Sequence, residues 1–298
     1  MTSRARVLIV VLLLVLTGAV VGLQALHERN GGPLGGSAAN LPYVRSPEAM
    51  QRLALSYDSL LADLYWIRAV QHYGGTKLST DPGKQYDLLY PLLDLTTSLD
   101  PRFNVAYYFG SLFLAEPFPG GPGRPDLAIA LLQKGIEVQP LKWEFVQAIG
   151  FVHYWWLRDY EQAAAWFRRA SELPNAPRWL ASLAATTLAE GGNRASSRVL
   201  WEQIARTAED DWFRNEAGRR LQQLDAMDEI DQLRAAVAGF EQRAGAAPRR
   251  WLDLQRAGHL RGTPVDPAGA PYRLESGMVT LDPRSPLNPL PTEPSRIP

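Results

Sequence analysis

The chain has 298 residues, 46% of them hydrophobic, with 31 Lys and Arg against 31 Asp and Glu. That length can bury one large core or two modest ones, and the balanced charge leaves no electrostatic footprint for nucleic acid. The absence of cysteine excludes disulfides, thiolate zinc sites, covalently attached c-type haem and lipid acylation at cysteine.

The N-terminus carries Arg4 and Arg6, followed by an uncharged run from Val7 to Leu26, "VLIVVLLLVLTGAVVGLQAL". At 1.5 Å per residue such a helix spans about 30 Å, the thickness of a bilayer core. The rival is a secretory signal peptide. Its apolar stretch is shorter and ends at a small-residue cleavage site, a position that Leu23 fills poorly in "GLQAL". The run therefore predicts an uncleaved anchor at 7–26. The two arginines before it keep residues 1–6 in the cytoplasm by the positive-inside rule. The bulk of the chain is then expected on the extracytoplasmic side of the cytoplasmic membrane, which is the periplasm in a bacterium with two membranes.

Residues 27–45, with the Gly-rich stretch "NGGPLGGSAANLP" at 30–42, predict a flexible linker. Ser46-Pro47-Glu48 predicts a helix start. Leu53, Tyr57, Leu60, Leu61, Leu64, Ile67 and Val70 hold a helical period to about Tyr73, where Gly74-Gly75 predicts a stop. A second helix is expected over roughly 85–99, with Pro91 causing a kink or a late start, and Asp100-Pro101 ending it.

Downstream the helices come in pairs. In "DYEQAAAWFRRASELP" (159–174), Ala163, Phe167 and Ala170 fall at i, i+4 and i+7 on one helical face. Asp159 suits the N-cap, and Pro174 ends the run. "DLAIALLQKGIEVQP" (126–140) repeats the pattern with Ala128, Leu132, Gly135 and a closing Pro140. Each such helix follows a partner with small residues in its middle: Gly110-Ser111, then Gly150, then Ala185, the last leading to Ser197 and Trp201. Three helix pairs thus recur at roughly 35 to 39 residues. This pattern resembles the tetratricopeptide repeat (TPR) family, whose repeat of about 34 residues is a pair of antiparallel helices. Gly150, Ala163, Phe167, Ala170 and Pro174 carry the resemblance best. Ser111, Ala128, Leu132, Gly135 and Pro140 follow, then Ala185, Ser197 and Trp201 without a closing Pro. The pair at 46–100 ends in a fitting Pro101 and otherwise departs from the pattern. The resemblance implies an all-α fold for 46–245, an α-solenoid of TPR-like helix pairs in which stacking buries the apolar faces that one repeat cannot bury alone.

From Asp210 the chain is expected to stay helical in one or two pieces, its polar residues suiting a cap on the stack. Residues 246–298 predict a small α/β tail: a short helix from Trp251 to Ala257, a turn at Asp266-Pro267-Ala268-Gly269, and a hairpin of "YRL", "ESG" and "MVTL". Pro267-Ala268-Gly269-Ala270-Pro271-Tyr272 resembles the tail of pilin-like secretion proteins, in which a Pro-Trp-Gly-x-Pro-Tyr run is common; the Trp is absent here. That resemblance implies an envelope-assembly setting. The last fifteen residues, rich in proline, are expected to be disordered or clamped to the surface.

No reactive constellation emerges. His27, His72, His153 and His259 lack partners at metal-ligand spacing. The Gly-rich loop "PGGPGRP" lacks the Lys-Ser/Thr of a phosphate cradle. No catalytic, cofactor-binding or metal-binding residue is expected, and the chain reads as no enzyme. The TPR resemblance implies instead that first helices line a concave groove. In that register Glu144, Gln147, Phe151 and Tyr154 project toward it, joined by Tyr108, Leu112, Trp179 and Ser182. Tyr and Trp there would anchor a partner protein or peptide. The expected function is a membrane-anchored extracytoplasmic scaffold or assembly factor. The alternatives are a periplasmic enzyme or polysaccharide-handling factor, marked by a carboxylate pair converging on His153, and a permanent structural subunit of an envelope complex.

Overall fold

The computed structural model describes residues 15–22, 50 and 56–293. It is mostly helical with one small antiparallel sheet. Of the predicted anchor at 7–26, only 15–22 lie among the described residues; they are helical and exposed. Among the described residues no helix is long and apolar enough to cross a membrane. The linker at 27–45, the helix start at Ser46 and residues 294–298 lie outside the described residues.

The described chain falls into two compact units. The first runs up to Phe103 and includes Pro119–Gly121. It contains α1 (Asp58–Leu78) packed on α2 (Leu89–Leu99). The predicted first helix is broken along its length and ends later than expected. Ser56 has φ of 74° and breaks the chain just before α1. Gly74-Gly75 do not stop the helix, which continues to Leu78, where the Ser79 N–H donates to the Gly75 and Thr76 carbonyls. Lys77 supports this last turn by reaching back to the Tyr73 hydroxyl at 3.1 Å and lying over its ring. The large apolar residues that mark the helical period do not form its buried face. Ala62, Ala69 and Tyr73 are buried, whereas Tyr57, Leu60, Leu64 and Ile67 point outward. The small alanines set the inner face, and counting only large apolar residues selects the other one. Pro91 produces a late start: it falls in the first turn of α2, where a backbone N–H has no partner in any case. Tyr86 donates its hydroxyl to the carbonyls of Pro119 and Gly120 at 2.9 and 3.0 Å, which fixes that loop segment.

The second unit holds Asn104–Phe118 and the described residues from Pro122 onward. Its helices are α3 (Asn104–Ala115), α4 (Pro125–Val138), α5 (Trp143–Val152), α6 (Tyr160–Ser171), α7 (Trp179–Glu190), α8 (Arg194–Thr207), α9 (Asp211–Ala244) and α10 (Trp251–Arg256). From α3 to α9 the helices pack on their neighbours in sequence, and α3 also touches α5. The N-caps follow residue chemistry: Asp159, Asn193 and Asp210 accept from the N–H three residues on, at 2.9–3.1 Å.

Small residues sit where the helices meet. Ala128, Ala163, Ala170 and Ala185 are fully buried. A Cβ on Gly150 would lie 2.5 Å from the Phe167 ring, and one on Gly135 would lie 3.0 Å from both Phe145 and Tyr107. Ser197 donates to the Ala185 carbonyl at 2.7 Å, a direct bond between α7 and α8.

α9 is a single 34-residue helix, ended by Gly245 at φ 74°, a conformation that glycine adopts without a Cβ penalty. Behind it lie α10 and the hairpin β1 (Arg273–Glu275) and β2 (Met278–Thr280). The hairpin turn is Ser276-Gly277, both at positive φ, so Glu275 belongs to the strand and not to the turn. Asp266 shapes the expected 266–269 turn by accepting from the Ala268 and Ala270 N–H groups. Tyr272 is buried and donates its hydroxyl to Glu229 of α9 at 2.7 Å.

Two glycine-to-alanine changes should move stability in opposite directions. Gly218 lies inside α9 with open space around it, so Gly218→Ala is expected to stabilise by about 0.5–1 kcal/mol. Gly150→Ala makes the same conformational gain, but the buried Phe167 ring cannot yield. Overpacking of about 1–3 kcal/mol should leave that variant less stable. Urea unfolding of both variants checks the contrast.

Candidate functional site

The eight residues expected to line a partner-binding face all lie in the second unit, on α3, α5, α7 and the turn after α5. α3 carries Tyr108, which is 36% exposed, and the half-buried Leu112 one turn later. Val105 and Phe109, also exposed, complete a stripe at i, i+3, i+4 and i+7. The rings of Tyr108 and Phe109 meet edge to face, their centroids 5.5 Å apart. Trp179 opens α7 with 45% of its surface exposed, and Ser182, half-buried, follows three residues on.

The residues on and after α5 are built into the helix packing. Gln147 is buried. Glu144 is half-buried near Lys142, whose Nζ lies 3.7 Å from its carboxylate. Phe151 meets Phe167 edge-on at 5.1 Å and, with Tyr154, covers the buried Ala163, Phe167 and Ala184. Tyr154 donates its hydroxyl to Glu190 at 2.6 Å and meets Tyr160 edge-on. Burial, together with the bond to Glu190, pushes the Tyr154 pKa up to about 12, so the hydroxyl stays a donor at neutral pH. Phe151 and Tyr154 thus share one apolar cluster at the junction of α5, α6 and α7, and Tyr108 and Trp179 lie outside it.

Three features of this region have weak sequence signals. Val105 and Phe109 were legible in principle from the apolar spacing in "NVAYYFGSLF". Glu190 as the partner of Tyr154 was not, because 36 residues separate them. The third is a π-helical turn at His153–Leu157, closed by Arg158 in the left-handed region and by an Asp159 N–H to His153 carbonyl bond of 3.0 Å. This turn leaves Trp155 54% exposed, beside the Tyr154 ring at 4.9 Å.

His153 lies in that turn with its buried Nδ1 lacking a hydrogen-bond partner; the nearest carboxylate, Asp159, is 4.0 Å away. Burial lowers its pKa and Asp159 only partly opposes this, so the contact is no ion pair near neutral pH. A hollow of about 610 Å³ opens elsewhere, beside the hairpin, lined by Ala247, Pro248, Arg249, Leu274, Glu275 and Ser276. Among the described residues no group of three or more His, Asp or Glu is placed to hold a metal ion.

His72 in α1 shares the direction of His153: burial lowers its pKa, against weaker opposing effects of the Tyr86 backbone and Asp87. Both folded values lie below the ordinary 6.5, so the unfolded chain binds more protons as pH falls through that value. Stability should therefore drop between about pH 7.5 and 5.5. The double variant His72→Gln/His153→Gln should flatten that slope in urea titrations.

Comparison with protein-family models, with curated proteins and with solved structures finds no match for this chain.

Proposed function

We propose that this chain is a membrane-anchored extracytoplasmic scaffold or assembly factor. Its helices form an α-solenoid of TPR-like pairs, held at the membrane by residues 7–26, and it binds a partner protein through the face carried by α3 and α7. The observation that carries this reading is the placement of large aromatic side chains. In a region whose helix contacts are made by Gly, Ala and Ser, Tyr108, Phe109, Trp155 and Trp179 keep a third or more of their surface in water. Rigid aromatics in that state are the usual anchors of protein interfaces. An anchor would keep this face at high local concentration near membrane-bound partners.

A permanent structural subunit is the second reading, and one observation favours it. Leu60, Leu64 and Ile67 on α1, with Tyr57 just before it, form an outward apolar stripe, of the kind that a constant neighbour would cover. The reading as an enzyme would need a carboxylate pair at His153, whose Nδ1 lies 4.0 Å from Asp159.

Photo-crosslinking in intact cells separates these readings from failure of the proposed face. A crosslinking residue at Tyr108 or Trp179 of the full chain should give one discrete adduct, whereas Val199, exposed on α8, should give none. Tyr108→Ala/Trp179→Ala should abolish an adduct formed from Phe109 without changing the circular dichroism. Phe151→Ala is a poor test, since it also removes packing on Phe167. Adducts equally strong at all positions, or absent at both Tyr108 and Trp179, would rule this face out.

A further inference from the structure

The C-terminal residues 282–293 run as a strap over α8 and α9, and their contacts are those of a ligand in a groove. Gln223, in the middle of α9, has no exposed surface. Its side-chain amide donates to two strap carbonyls, Leu287 at 2.7 Å and Pro289 at 2.8 Å. Arg194, near the start of α8, grips the Glu293 carboxylate with two bonds, Nε to Oε1 at 2.6 Å and Nη2 to Oε2 at 2.7 Å. Between these polar contacts Leu287 is 1% exposed, and Leu290 packs against the apolar clusters on both sides of α9. From Pro289 onward the strap has no regular secondary structure.

Arg194 and Arg198 have acidic partners besides Glu293. The third nitrogen of Arg194 bonds to Asp228 at 2.9 Å and Asp231 at 2.8 Å, and Arg198 bonds to Asp225 and Asp228. Release of Glu293 therefore leaves no guanidinium unpaired, which avoids the large cost of breaking a buried ion pair. Gln223 reads backbone carbonyls, so it accepts any chain of the right path. The prolines at 283, 286, 289 and 291 limit the freedom the segment has to lose on docking.

We propose that this α8–α9 surface is a recognition groove for proline-rich segments of the pattern Leu-x-Pro-Leu-x-x-Glu, that the chain's own strap occupies it in cis, and that a partner segment of the same pattern displaces the strap. The site is separate from the face of α3 and α7 and does not depend on that face binding anything.

The test uses the full chain and a synthetic peptide of residues 282–293. Arg284 is exposed in the strap, so displacement should expose the bond after it to trypsin. Saturating peptide should speed that cleavage severalfold, and the same peptide with alanine in place of its final glutamate should do so far less. Glu293→Ala in the full chain weakens the cis competitor, so the fluorescein-labelled peptide should bind this variant at least about ten-fold tighter than wild type. Adding Gln223→Leu to that variant should abolish the gain. An unchanged cleavage rate, or equal peptide binding by wild type and the Glu293→Ala chain, would overturn the proposal. So would a concentration-dependent dimer with crossed tails, which would assign the groove to a second copy.

Discussion

The second unit depends on close approach between neighbouring helix backbones, seen most clearly where Gly150 of α5 meets Phe167 of α6. A ring fills the space that a Cβ would occupy, so two helices come together with a large side chain lying across the contact. Similar contacts recur at Gly135 with Tyr107 and Phe145, and at Gly191 with the Tyr160 Cβ. Interiors packed to crystal-like density transmit such constraints: the position of one helix is fixed by the ring beside it, and that ring by the next helix.

Polar contacts then set the details that packing leaves free. Tyr154 reaches Glu190, Tyr272 reaches Glu229, and Ser197 reaches the backbone of Ala185. The first two tie elements that are distant in sequence, and the third joins consecutive helices. A half-buried tyrosine that donates to a carboxylate gains direction from the bond as well as energy. The aromatic residues of this unit therefore divide by role. Phe167 with Gly150 opposite it, and Tyr154 and Tyr272 with a carboxylate opposite them, are held in the packing, whereas Trp179 and Trp155 face water.

The helices from α3 to α9 were legible in sequence because their punctuation is local: Asp159, Asn193 and Asp210 cap, and Pro125 occupies the first position of α4. The small-large-small face of α6 was legible for the same reason. The first helix was not. Its inner face is made by Ala62 and Ala69, its interruption is a positive φ at Ser56, and its two glycines lie where no neighbour penalises continuation. None of these is visible to a count of large apolar residues. The candidate site was legible as a set of positions. Which of them keep exposed rings was not, since Phe151 and Tyr108 differ only in what the next helix places opposite them. The π-helical turn after α5 has no signature in "HYWWL". The strap was foreseen only as one of two fates for a proline-rich end.

α9 takes part in two apolar clusters. Through Ala217, Leu224 and Met227 it packs with Ala185, Ala189 and Trp201 of the preceding helices; through Ala226, Ile230, Leu233 and Val237 it packs with Leu254, Tyr272 and Val279 behind it. The two sets interleave at Ala226 and Met227, so melting of one loosens the other. A row of helices joined only through nearest neighbours would fray from its last member inward. Here the shared spine makes the end of the row part of a larger cooperative block, and fraying has to begin elsewhere.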